Sequence, residues 1–240
     1  MPEKEGILIT CFKHEPVDLG YSDLVAETKP TGRKYNTPDG KAYPSITTVL
    51  GVLSKDSIDA WRKRIGKEEA DKISIRASRR GTSVHEALEN FVDNVEWAPI
   101  KQKYTPDIIA SVIGVKDILS ERIGRVFGQE LPLYSDHLGV AGRVDCVAEF
   151  DGKISIIDYK TSKKPKYRKW IESYFCQEAA YAIMWEERTG IPITQLVTII
   201  AVDNSKPQVF IEHRDRHTKK LLETIDEYKE RNSRSNAILS

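Results

Sequence analysis

The chain has 240 residues, 40% hydrophobic and 30% charged, with 37 basic and 36 acidic side chains. That balance belongs to a globular protein and argues against a disordered tail, a fibre or a histone-like coating protein. No apolar run approaches the ~20 residues of a membrane-spanning helix, and the opening MPEKEGILIT reads neither as a secretory signal nor as an Arg-rich transit peptide.

Residues 1–43 read as an N-terminal arm with a small hairpin, turned at Thr37-Pro38-Asp39-Gly40. Ser45 is a candidate cap for a helix beginning ITTVLGVL, and further helices fit 57–65 and 67–79. Gly81-Thr82-Ser83 reads as a break with a hydroxyl N-cap, which puts His85 in the first turn of a separate helix, VHEALENFV. The next helix, 107–123, carries Ile108, Ile109, Val112, Val115, Ile118 and Leu119 at helical spacing. Strands are expected at 125–134, 140–150 and 153–161, with Asp151-Gly152 a favoured two-residue hairpin turn. A long helix fits 169–188, stopped by Gly190 and Pro192. Strands at 196–202 and 208–213 and an amphipathic helix at 215–231 complete the order, leaving a frayed tail. Such an order predicts an α/β fold, a mixed sheet flanked by helices, with a helical N-terminal part.

Three scattered cysteines (Cys11, Cys146, Cys176) form no C-x-x-C pair and suggest neither a zinc site nor a disulfide framework. They are too few for the four ligands of an iron–sulfur cluster, so none is expected. A reducing, intracellular setting fits them.

The chemistry lies in GRVD at 142–145 and ISIIDYKT at 154–161. If Asp151-Gly152 closes the hairpin symmetrically, Asp145 and Asp158 face each other across the ladder, with Cβ atoms roughly 4.5–5.5 Å apart. Lys160 shares their face. Two facing carboxylates repel, and a divalent cation between them removes the conflict. With a lysine beside the ion, the group suits metal-assisted hydrolysis of a phosphodiester. A plain surface ion pair is the competing reading, but so isoleucine-rich a strand looks central.

The pattern G-x-x-D, a glycine turn, I-x-D-x-K-T-S, then Q-x-x-x-Y on a helix resembles the PD-(D/E)xK nuclease superfamily, whose fold is restriction-endonuclease-like. Within it the likeness is to the RecB-type exonuclease branch, including mitochondrial genome maintenance exonucleases and their phage relatives. Tyr43-Pro44-Ser45-Ile46-Thr47-Thr48, Trp61 in AWRKRI and Gly81 to Glu89 extend the likeness over about 43–185. The resemblance implies that His85, Asp145, Asp158 and the carbonyl of Tyr159 bind one or two Mg²⁺ or Mn²⁺ ions, and that Lys160 is catalytic. It also implies that Gln177 and Tyr181 support the site and that Glu130 lies near the metal. Glu89, at i+4 from His85, is placed to bond the far imidazole nitrogen. The implied layout is an arm (1–43), a nuclease domain (44–232, helical to 123, then the sheet core) and a tail.

Two basic clusters flank the expected site: Arg76, Arg79 and Arg80, and Lys163, Lys164, Lys166, Arg168 and Lys169. Tyr167 and Trp170 are interleaved in the second, a combination that suits single-stranded DNA. Trp61 reads as a packing residue. The expected protein is a metal-dependent DNA exonuclease acting on free ends of single strands, in replication, repair or recombination. The resemblance and the lack of a presequence suggest the cytoplasm of a bacterial or phage-infected cell. A structure-selective endonuclease and a non-catalytic recombination accessory protein remain alternatives.

Overall fold

A computed structural model describes residues 11–239, with side chains to 234; the first ten residues of the expected arm lie outside that range. The arm contributes β1 (Lys13–His14) and the strands β2 (Val25–Lys29), β3 (Gly32–Asn36) and β4 (Ala42–Pro44). The last three pair antiparallel in a small sheet of their own. The expected turn closes β3 onto β4, with Thr37 N donating to Lys41 O at 2.8 Å.

Ser45 caps α1 (Ile46–Leu50) by accepting the Thr48 N–H at 3.1 Å, and a 3₁₀ turn (Gly51–Leu53) follows. Then come α2 (Lys55–Ile65), α3 (Lys67–Val92), α4 (Trp97–Lys103) and α5 (Pro106–Arg122). The expected break at Gly81 is absent, because α3 is one helix of 26 residues. Thr82 does not cap anything; its hydroxyl donates back to Ser78 O. A mid-helix glycine costs about 1 kcal/mol relative to alanine, and burial of Val84, Ala87, Leu88 and Val92 outweighs it. His85 therefore sits well inside the helix, away from its N-terminus. Trp61 is half-buried on α2, which has no fully buried residue.

The core elements are β5 (Ile123–Ser135), β6 (Val140–Phe150), β7 (Lys153–Ser162), α6 (Glu172–Thr189), β8 (Gln195–Val202), β9 (Gln208–His213) and α7 (Asp215–Leu239). Asp151 and Gly152 hold φ of 54° and 75°, the positive pair that a type I′ hairpin turn requires. The six-stranded sheet runs β1-β5-β6-β7-β8-β9, with β1–β5 and β7–β8 parallel and the rest antiparallel. The parallel β7–β8 pair needs a crossover, and α6 supplies it. The expected start of α6 near 169 shifts to Glu172, because a 3₁₀ turn (Arg168–Trp170) comes first. The tail expected to fray continues α7 to Leu239, where Glu227–Arg231 and Glu230–Arg234 form i,i+4 pairs.

Both sheet faces are covered. Val84, Leu88, Val112 and Leu119 of α3 and α5 pack with Cys146, Phe150 and Ile157 on one side. Ile46, Met184, Trp185 and Leu221 of α1, α6 and α7 pack with Val147, Ile156 and Leu196 on the other. Covering both faces makes β6 and β7 central, and polar groups on them end up buried. No helix is long and apolar enough to cross a membrane among the described residues.

Candidate active site

The predicted register of the β6–β7 hairpin holds from Phe150↔Lys153 to Cys146↔Ile157. The ladder stops there, one rung short of Asp145 and Asp158. Asp145 and Asp158 are the next positions in that register, just past the last hydrogen-bonded pair. Facing buried like charges are destabilising, and each carboxylate has its own donors. Asp145 Oδ2 accepts the Tyr159 N–H at 2.7 Å and lies 3.4 Å from His85 Nδ1. Asp158 Oδ1 accepts from Gln177 Nε2 at 3.2 Å, and Oδ2 is ion-paired with Lys160.

Past the last pair of the β6–β7 ladder, side chains from helices on both sheet faces reach the carboxylates. His85 comes from α3 and packs edge-on against Tyr159, with ring centroids 6.0 Å apart. Gln177 comes from α6; its Oε1 is 3.4 Å from Lys160 Nζ, and its Nε2 is 3.4 Å from the Tyr181 hydroxyl. Lys160 also stands over the Tyr174 ring, 5.2 Å from its centroid. Glu130, on β5, holds φ of 48°, a left-handed conformation in mid-strand where the β5–β6 pairing skips a residue. Among the described residues, His85, Glu130 and Asp145 offer ligand atoms that lie within 4.8 Å of one another. Glu89 does not bond the imidazole; His85 Nδ1 faces Asp145 instead. Asp158, expected as a ligand, lies outside that trio beside Lys160.

The charges are under strain as they stand. Burial, then Asp145 and Glu89, push the Glu130 carboxyl up to about 7. Burial raises Asp158 as well, with Lys160 opposing and Asp145 adding to the rise. Burial works against charge on Asp145 too, but His85 and then Lys160 hold it below the ordinary value. Burial opposes a proton on His85, yet Asp145 lifts its pKa. This is an excess of buried negative charge arranged around hard oxygen and imidazole donors, and it fits a divalent cation.

The group opens onto a cleft of about 900 Å³. Arg33, Thr28, Ser45 and Thr47 also line it, which the sequence reading did not connect to the site. Glu178 was missed too. It is fully buried behind Gln177, accepts the Thr198 hydroxyl, and has its pKa raised by burial and then by Asp158. Its position next to Gln177 was the only available signal.

The basic clusters lie apart from the cleft lining. Arg76 and Arg79 are exposed on α3, and Lys163, Lys164 and Lys169 are exposed after β7, with Lys166 half-buried. Two members are already committed: Arg80 pairs with Asp203 and donates to Ser111 at 2.7 Å, and Arg168 pairs with Glu212. Tyr167 and Trp170 are both 63% exposed and meet edge to face, 4.7 Å between centroids.

The PD-(D/E)XK nuclease superfamily matches residues 107–235, more than half of the sequence. The chain belongs to that superfamily. That superfamily is one of nucleases that use divalent metal ions, which agrees with the donor set. Human mitochondrial genome maintenance exonuclease 1 is 31% identical over 141 residues, 55% of this chain and 40% of that protein. The mouse protein of that name is 28% identical over 133 residues, 52% and 38% of the two chains. The Xenopus tropicalis protein is 26% identical over 177 residues, 68% and 50% of the two chains. The chain therefore spans half or less of the length of these relatives.

Close packing ties the site to its supports. A Cβ on Gly142 would stand 2.7 Å from Tyr181 Cε1 and 3.2 Å from Ile46 Cγ2. Gly142→Ala is expected to cost about 1–3 kcal/mol and to displace Tyr181 from Gln177. A denaturant titration with a cleavage assay checks this: stability and rate fall together, whereas a neutral alanine would show that Tyr181 has room to move.

Proposed function

We propose that this nuclease is a Mg²⁺- or Mn²⁺-dependent DNA exonuclease that hydrolyses single strands from a free end. The observation that carries the reading is the convergence of Asp145, Asp158 and Lys160 with His85 and Glu130 at the end of the β6–β7 ladder. The relatives named exonucleases support the direction of the reading, and the exposed Tyr167–Trp170 pair suits unpaired bases. Replication, repair or recombination in the cytoplasm of a bacterial or phage-infected cell is the setting it suits.

In this reading His85, Asp145, Asp158, Glu130 and the Tyr159 carbonyl hold the ion. When bound, the ion lowers the pKa of a water and neutralises charge growing on phosphorus. Lys160 orients that water and steadies the developing oxyanion with its ammonium. Gln177 fixes Lys160 and Asp158 relative to each other, and Tyr181 braces Gln177. The exposed lysines after β7 and Arg76 and Arg79 hold phosphates further out. Residues 44–232 work as the nuclease domain, and β2 and β3 of the arm form part of the cleft.

End-labelled linear strands and covalently closed single-stranded circles, each with Mg²⁺, Mn²⁺ or a chelator, test the proposal. Metal-dependent loss of the linear strand with the circle intact is expected. A cut circle would replace the exonuclease with an endonuclease, and binding without any cleavage would make the protein an accessory factor.

A further inference from the structure

Two stretches of the cleft lining differ in kind. Glu86, Glu89, Glu130 and Asp145 make one acidic. Thr28, Arg33, Ser45 and Thr47, from the small sheet and the start of α1, line a second stretch without carboxylates. Nothing in the hydrolysis described above uses that second stretch.

The second stretch is locally well built. Gly32 holds φ of 119°, and a Cβ there would collide with the Thr48 side chain. The close approach lets Arg33 N donate to Thr48 Oγ1 at 3.1 Å, while Ser45 N donates to Arg33 O at 2.8 Å. Ser45 Oγ lies 3.0 Å from Thr47 Oγ1 and 2.8 Å from Thr48 Oγ1. Arg33 Nε donates to Thr28 Oγ1 at 3.3 Å. The backbone around Arg33 is therefore fixed, and its side chain reaches the Thr28 hydroxyl.

The Arg33 guanidinium has no carboxylate partner among the described residues. The cleft's other arginine, Arg143, is paired with Asp23 and donates to Glu130 O at 2.6 Å. An arginine fork with unused donors beside threonine hydroxyls matches the oxygens of a phosphate. Its position fits a strand in the cleft. Ser45 bridges to Ala141, four residues along β6 from Asp145, which is ~13 Å at the rise of a strand. A nucleic acid with one phosphate at the metal ligands presents its neighbouring phosphates to this stretch.

We propose that Arg33, with the hydroxyls of Thr28 and Thr47, forms a phosphate-binding subsite that holds the nucleic-acid backbone in the cleft, along β6 from the metal ligands. The proposal rests on the nuclease reading of the cleft. It makes the small sheet of the arm part of substrate binding, independent of the basic clusters.

The test uses the full chain. In a Lys160→Ala background with Mg²⁺, anisotropy of a labelled single-stranded oligonucleotide measures binding without cleavage. Adding Arg33→Ala is expected to weaken binding about tenfold, the value of one charge-assisted contact. The slope of log K against log salt should fall by about 0.7, one single-strand phosphate. Arg33→Lys should recover the slope but only part of the affinity, because it keeps the charge and loses the fork. With Lys160 restored, Arg33→Ala should raise KM and leave kcat within about twofold, the signature of uniform binding. Oligonucleotides with a 5′-phosphate or a 5′-hydroxyl identify the source: an equal penalty assigns an internal phosphodiester, and a penalty confined to the phosphorylated end assigns a terminal phosphate. If the unaltered protein cuts no strand, the nuclease reading itself fails. If it cuts, and Arg33→Ala changes neither slope nor KM, the subsite alone is overturned.

Discussion

Lys160→Ala is expected to lower the single-turnover cleavage rate about a thousandfold while strand binding stays near that of the unaltered protein. The side chain is placed for transition-state work and poorly placed for gripping DNA. It is largely buried, ion-paired with Asp158, and within 3.4 Å of Gln177 Oε1. Asp158 and Asp145 hold its pKa above the ordinary lysine value against the effect of burial, so it is an ammonium at neutral pH. Removing it deletes one fixed positive charge from the place where phosphoryl oxygens gain negative charge. It also strips Asp158 of its countercharge, which destabilises a buried carboxylate. The variant should therefore melt lower than the unaltered protein in chelator and recover most of that difference with Mn²⁺. Lys160→Met, which fills the same volume, separates lost packing from lost charge: both variants should be inactive. Cleavage at the original rate by either variant would end the role given to Lys160.

How much of this was readable in the sequence depends on the range of the contacts. Asp151-Gly152 specifies its turn through two neighbouring positive φ values, and the turn then sets the register as far as Cys146↔Ile157. The ladder bonds end there, and the Tyr159 N–H is taken by the Asp145 side chain, a contact the count could not foresee. Gly81 looked like a helix end. The local penalty was real, but the apolar stripe from Val84 to Val92 is continuous with the helix before it and decides the outcome. No local pattern announces the left-handed Glu130, which lies unpaired between the Gln129↔Cys146 and Leu131↔Val144 pairs. The fates of Arg80 and Arg168 were also out of reach, since their partners Asp203 and Glu212 lie on distant segments. Arg33 joins the site only because the small sheet folds over the cleft.

Asp158→Asn should reverse the usual relation between stability and function. Asp158 is fully buried, and burial lifts its carboxyl above the model-peptide value of 3.8. A raised acid favours folding while it carries its proton, below the unfolded value, and that contribution disappears as pH rises through the folded value. At neutral pH, without metal, the ionised Asp158 therefore works against the fold, with Asp145 adding repulsion and Lys160 giving partial relief. Asparagine removes the charge, keeps the shape, and still offers an oxygen to Gln177 Nε2. Lys160 is not stranded, because Asp145 remains close enough to favour its charge. In chelator at neutral pH the variant should melt at or above the temperature of the unaltered protein, and that advantage should vanish on acidification. Metal should invert the order. A ligand that binds only the folded state adds RT ln(1 + [L]/Kd), about 2.7 kcal/mol at a hundredfold excess over Kd. The unaltered protein gains this with Mn²⁺ and the variant gains little, so the melting curves cross on adding the ion, while cleavage by the variant falls below detection. Equal Mn²⁺ stabilisation of both proteins would show that Asp158 does not hold the ion and would leave that duty to His85, Glu130 and Asp145.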